Sequence, residues 1–183
     1  MAIPIVHQVF VWLTWRLELR NSAISETIGF RAYLVIFFVL LGSRLISVLV
    51  LAWMDSDSLG LPGLSTCIAT TLLALPAVYT AYSLHRYFGF VRAAGADHFD
   101  PSYRTMPFVR EGAFRFSGNA MYAFGFLLFW ALAIGFDSMA ALIVAAFSHA
   151  YIWVNYYATE KPDMEYLYSA LNPPALRQPA RRG

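Results

Sequence analysis

The chain has 183 residues, 59% of them apolar and 17% aromatic, with 13% charged and a formal net charge of +2. A soluble domain carries about 25% charged residues, so a water-soluble globule is excluded, and so small a positive balance gives no basis for a nucleic-acid partner. The single cysteine, Cys67, excludes an intrachain disulfide and any cysteine-based metal cluster, and reads as a small buried apolar side chain.

The first twenty residues lack a basic n-region and a small-residue cleavage site, so no cleavable signal peptide is expected. Pro4–Leu19 is apolar but ends in Arg16, Glu18 and Arg20. It reads as an interfacial or partly inserted helix that packs on the bundle or self-associates into a homo-oligomer. Four apolar stretches follow: Tyr33–Trp53, Leu64–Leu84, Ala120–Phe136 and Met139–Tyr157. About 20 helical residues cover a ~30 Å hydrocarbon core; the third stretch is short and needs local thinning or flanking residues. The expected fold is an all-α, polytopic membrane helical bundle of four transmembrane helices plus an N-terminal interfacial helix. It forms one domain over 1–183, with the interfacial helix in 1–30, the spans in 31–158 around a loop at 85–118, and a C-terminal segment at 159–183.

Charge sets the expected orientation. Arg16, Arg20 and Arg31 precede the first span; Arg86, Arg92, Arg104, Arg110 and Arg115 lie between the second and third; Lys161, Arg177, Arg181 and Arg182 follow the fourth. The two remaining connections carry Asp55, Asp57 and Asp137 and no Lys or Arg. The positive-inside rule therefore puts both termini and the 85–118 loop in the cytoplasm, of a bacterial inner membrane or one like the endoplasmic reticulum. Trp12, Trp15, Trp53, Tyr82, Tyr87, Tyr156 and Tyr157 fit interfacial belts. Gly60, Pro62 and Gly63 mark a turn, and Asp137-Ser138 a tighter one that folds the last two spans into an antiparallel hairpin. Small residues four apart (Ala131 and Gly135, Ala141 and Ala145, Ala146 and Ala150) suit close helix approach. Pro76 is a kink candidate in the second span. Arg44, His149 and Asn155 are polar within spans and are expected to face protein or a cavity, Arg44 pairing inside the bundle or lining a lipid path. The tail with Asn172-Pro173-Pro174 and Arg181-Arg182 reads as irregular and solvated or in contact with headgroups.

Two polar segments bracket the last hairpin: Gly112–Tyr122 before it and Thr159–Tyr168 after it. The hairpin brings them to one membrane face. A site built from both lies where water meets lipid, which suits an enzyme joining a soluble cofactor to a lipid-borne substrate. No zinc or calcium ligand motif, Ser-His-Asp order or dinucleotide fingerprint occurs.

Asn119-Ala120-Met121-Tyr122 resembles an Asn-Pro-Met-Tyr element, and Glu160-Lys161-Pro162 a Glu-Glu-Pro element followed by a tyrosine at Tyr168. On these residues the stretch from about His85 to Tyr168 resembles the integral-membrane phospholipid/isoprenylcysteine methyltransferase family, closest to its phosphatidylethanolamine N-methyltransferase branch. Ala120 and Lys161 depart from the pattern. The resemblance implies S-adenosyl-L-methionine as cofactor and a membrane lipid amine, such as phosphatidylethanolamine or its methylated forms, as acceptor. It implies a cofactor site of Gly112, Arg115, Gly118, Asn119, Met121, Tyr122, Tyr157, Glu160 and Lys161, with Glu160 pairing the cofactor's positive charge. Tyr122 and Tyr157 would offer aromatic faces, and Arg115 with backbone N–H groups of 112–119 would take a carboxylate. Glu160, His85 and His98 are the candidates for moving the amine proton. The alternatives are methyl transfer to another apolar acceptor (a prenylated or small thiol), a non-catalytic membrane subunit of the same fold, and a reductase-like enzyme using a nicotinamide cofactor.

Overall fold

The structure is a computed structural model and describes residues 1–169; the Asn172-Pro173-Pro174 and Arg181-Arg182 tail lies outside the described residues. All regular structure among these residues is helical. Lipid enforces this, because an unpaired backbone N–H or C=O in hydrocarbon costs several kcal/mol and a helix pairs them within itself. Helix α1 (Ala2–Asn21) turns through the short α2 (Ala23–Thr27) into α3 (Gly29–Met54). Helix α4 (Gly63–Ser83) extends through a π turn at Leu84–Phe88. The 85–118 region is not an open loop: it holds α5 (Phe90–Ala93), α6 (Ala96–Phe99) and 3-10 turns at Pro101–Thr105 and Gly112–Arg115. A π turn at Met121–Gly125 leads into α7 (Leu127–Gly135). Helix α8 (Met139–Asn155) runs through a third π turn, Tyr156–Glu160, into α9 (Lys161–Ser169).

Three helical runs are long and apolar enough to cross a membrane, Gly29–Met54, Gly63–Phe88 and Met139–Ser169, beside the shorter apolar Met121–Gly135. The C-terminal polar segment, read from sequence as separate from the fourth span, is thus a direct helical continuation of it. Side chains meet where small residues permit. Ala52, Ala133 and Ala141 are fully buried where α3, α7 and α8 converge, with Val48, Phe129 and Ala145 packed beside them. A methyl group at Gly135 would lie 3.1 Å from Thr70 Cγ2, so α4 and α7 nearly touch there. Ala141 and Ala145 are the buried pair on α8; Ala146 and Ala150 face outward, and their spacing packs nothing. Cys67 is exposed on the outer face of α4 rather than buried.

Helix α1 is not a free surface helix. His7, Gln8, Val11, Thr14, Trp15 and Glu18, spaced three or four apart, are buried. Val11 and Trp15 pack with Tyr33 of α3 against Phe10, Phe30, Phe37 and Phe99. Trp15, assigned to an interfacial belt from sequence, is therefore core, whereas Trp12 and Trp53 are exposed. The Glu18 carboxylate closes the turn into α2 by accepting from the Ile24 and Ser25 N–H groups.

At the end away from the polar segments the connections clasp one another. Asp55 accepts from the Ala140 N–H and the Ser138 hydroxyl, both at 2.8 Å, capping α8. Asp137 accepts from the Gly60 and Leu61 N–H groups. Asp55 and Asp137 are hydrogen-bonding clamps between the helical hairpins.

Candidate functional site

The opposite end gathers the chemistry. The Gly112–Arg115 turn is docked on α4, where the Ala113 N–H donates to Ser83 Oγ at 2.9 Å. Gly112 has φ +58°, and any Cβ there would overlap the Ser83 side chain. Several N–H groups proposed from sequence as carboxylate donors are already committed: Phe114 to Glu111 O, Phe116 to Ala113 O and Asn119 to Ser117 Oγ. Asn119 in turn receives the Tyr122 and Ala123 N–H groups on its carbonyl, starting the π turn. Ala120 is fully buried and its N–H donates to Ser117 O, a bond a proline cannot make. Met121 packs beside it against Ala113 and Phe114.

That π turn presents Tyr122 to Glu160, and the phenol donates a short hydrogen bond to the Glu160 carboxylate. The two polar segments therefore meet, through two side chains in wide turns on neighbouring helices. Around Tyr122 stand Phe126, Trp153 and Tyr156, with ring centroids 6.4, 6.1 and 6.0 Å away. Tyr157 is exposed, 5.0 Å from the Tyr156 ring. Lys161 Nζ lies 5.9 Å from the Tyr157 ring, and Arg115 is exposed over Phe116. Gly118 is exposed. Among the described residues no Lys or Arg forms an ion pair with Glu160.

His98 belongs to a second, adjoining cluster. It is buried, with Nδ1 facing Gly95 O at 3.2 Å and Asp97 Oδ1 at 3.1 Å, and Nε2 facing Asp163 Oδ2 at 3.4 Å. Trp15 stacks on it at 3.9 Å. Asp163, one helical turn beyond Glu160, also takes Arg16 Nη1 at 2.6 Å, and Tyr168 donates to Asp97 at 3.1 Å. Burial disfavours a charged imidazole here, but the hydrogen bonds its ring N–H groups donate to Asp163 and Asp97 outweigh it and lift the His98 pKa above its ordinary value. His85, the other sequence candidate, is exposed beside Phe90, and no hydrogen bond joins it to Tyr122 or Glu160. Sequence reasoning did not assign Asp97, Asp163, Arg16 or Trp15 to the site. The available signals were Asp163 one turn from Glu160 and Asp97 adjacent to His98.

A profile described as phospholipid methyltransferase matches residues 65–170. The chain belongs to the phospholipid methyltransferase family. No curated protein and no solved structure matches it. Family membership makes this an integral membrane protein of methyltransferase type. The family segment contains Tyr122, Glu160, His98 and Asp163, but not Arg16, Trp15 or Arg44, which α1 and α3 bring to it from outside.

Proposed function

We propose that the protein transfers a methyl group from S-adenosylmethionine to the amine of a membrane lipid, an ethanolamine phospholipid or a partly methylated form of one. The observation that carries this reading is the Tyr122–Glu160 pair, a carboxylate without a cationic partner among the described residues, set among aromatic rings. A positively charged ligand fits such a place: the carboxylate pairs its charge, and the ring faces add cation–π attraction of about 0.5–2 kcal/mol. The bound sulfonium supplies an electrophilic methyl group. The reaction breaks one S–CH3 bond, forms one N–CH3 bond and removes one proton from the amine. An aliphatic ammonium titrates near ~10, so an acceptor for that proton is needed. Glu160 is our candidate for it, because both His98 nitrogens are engaged and His85 is exposed. Phe126, Trp153 and Tyr156 limit water around the pair, and exposed Arg115 and Lys161 offer cations to the cofactor's carboxylate. In this reading the basic residues hold this end in the cytoplasm.

The two departures from the family pattern leave the pair intact. Ala120 keeps a backbone bond and Lys161 points over Tyr157, so neither favours a non-catalytic subunit. Glu160→Gln is expected to lower methyl transfer about 100-fold, in line with loss of a positioned proton acceptor, while the protein stays folded. The assay is label transfer from S-adenosylmethionine to lipid in nanodiscs, with calorimetry for cofactor affinity. Wild-type protein that binds no S-adenosylmethionine would sink the proposal.

A further inference from the structure

The least explained group in the bundle is Arg44. It lies midway along α3 and is only 1% exposed. Its Nη2 donates to Ser148 O at 3.2 Å, and its Cζ sits 4.9 Å from the Phe126 centroid and 5.6 Å from that of Phe129. Among the described residues no carboxylate pairs with it. The Arg44 Nε, both ring nitrogens of His7 and the Ser148 hydroxyl are buried without a partner. The His7 ring meets Phe37 of α3 edge-on at 4.9 Å, and Arg44 follows Phe37 by seven residues on the same face of that helix. A charge inside a membrane bundle is expensive and faces a partner or a cavity; here α3 and α8 hold a guanidinium beside unpartnered polar atoms, and no carboxylate among the described residues answers it.

We propose that Arg44, with His7 and Ser148, is the phosphate-binding part of an acceptor site and takes the phosphodiester of a phospholipid headgroup. A phosphodiester has one negative charge and several acceptor oxygens, matching one guanidinium and its neighbouring donors. Geometry places it with the methyl-transfer pair. Helical side chains lean toward the helix N-terminus, which in α3 is the Glu160 end of the bundle. The Phe126 ring that Arg44 touches is 6.4 Å from the Tyr122 ring, so a single aromatic side chain separates cation from pair. A headgroup with its phosphate at Arg44 points its amine toward Glu160. Between α1 and α8 lies a cavity of about 190 Å³ whose lining includes Gln8, next to His7, and Tyr151, one turn from Ser148. The proposal deepens the lipid-methyltransferase reading and rests on it for the acceptor's amine, but binding of the phosphate is measurable without turnover.

The test uses full-length protein with two acceptors, dioleoyl-phosphatidylethanolamine and oleylamine, a long-chain amine without phosphate. Lipid retention is read by native mass spectrometry without cofactor, and methylation separately. Arg44→Met keeps volume and chain length without charge, and a cooperative thermal transition with an unchanged elution volume reports that it is folded. It is expected to lose phospholipid retention at least tenfold and raise KM for the phospholipid about tenfold, leaving oleylamine methylation within twofold. Ser148→Ala is expected to weaken phospholipid retention about threefold, and it carries the test if Arg44→Met does not fold. Undiminished phospholipid retention in the folded variants overturns the proposal. So does displacement of the lipid from wild type by millimolar inorganic phosphate, which would mean a free anion is the occupant. Absence of cofactor binding and of all methylation, with retention still dependent on Arg44, would instead refute the methyltransferase reading and leave this site standing.

Discussion

His98 shows how one residue can join three parts of the chain. It takes Trp15 of α1 on its face, Asp97 on one nitrogen and Asp163 of α9 on the other. Gly95, at φ +81°, sits under the Trp15 indole where any side chain would collide. Because the folded His98 pKa is raised, the stability it contributes is full below the unfolded histidine value near ~6.5 and is lost as pH rises through the folded value. The thermal midpoint of the wild type is therefore expected to fall between pH 6 and pH 9, and His98→Gln should flatten that profile. Asp163→Asn should cost about 2 kcal/mol at pH 6, the loss of a buried pair reduced by the partial exposure of Arg16. Little of this was legible in the sequence, since His98 and Asp163 are 65 residues apart and nothing local marks them as partners. Tyr122 and Glu160, by contrast, stand out as the polar ends of an apolar hairpin.

At the scale of elements, the turn at Tyr156–Glu160 governs how the site is presented. A π turn holds one residue more than an α turn, so it sets the rotation of α9 relative to α8. Removing one residue there, for example the exposed Ala158, is expected to restore α geometry and swing α9 by about 100°. Glu160, Asp163 and Tyr168 would then leave Tyr122, His98 and Asp97 together. The expected readout is loss of methyl transfer along with loss of the pH dependence of the thermal midpoint. The apolar runs that make α3, α4 and α8 could be read directly, because hydrocarbon leaves the backbone no alternative to helix. The π turns could not, since widening a turn depends on tertiary contacts at both of its ends. The burial of α1 was half legible: its polar residues His7, Gln8, Thr14 and Glu18 follow a helical spacing, but only the bundle shows that this stripe, and not the apolar one, faces inward.

Across the whole molecule the two ends are built differently. The connections at one end are pinned by Asp55 and Asp137, and burial there is tight around Ala52, Ala133 and Ala141. Asp55 is held below the usual carboxylate range, first by the Ala140 N–H, so this clamp persists at neutral pH and weakens only on strong acidification. The other end carries all three π turns, at Leu84–Phe88, Met121–Gly125 and Tyr156–Glu160. A widened turn strains its hydrogen-bond ladder, so backbone amides should open more easily there. In hydrogen–deuterium exchange the protection of amides is expected to fall along each helix from the Asp55 end to the Glu160 end, and uniform protection would contradict it. On the proposed function, such a bundle would work like a book bound along one edge: the spine clamped by Asp55 and Asp137 would stay closed while the pages at the Glu160 edge part to admit a headgroup and release its methylated form.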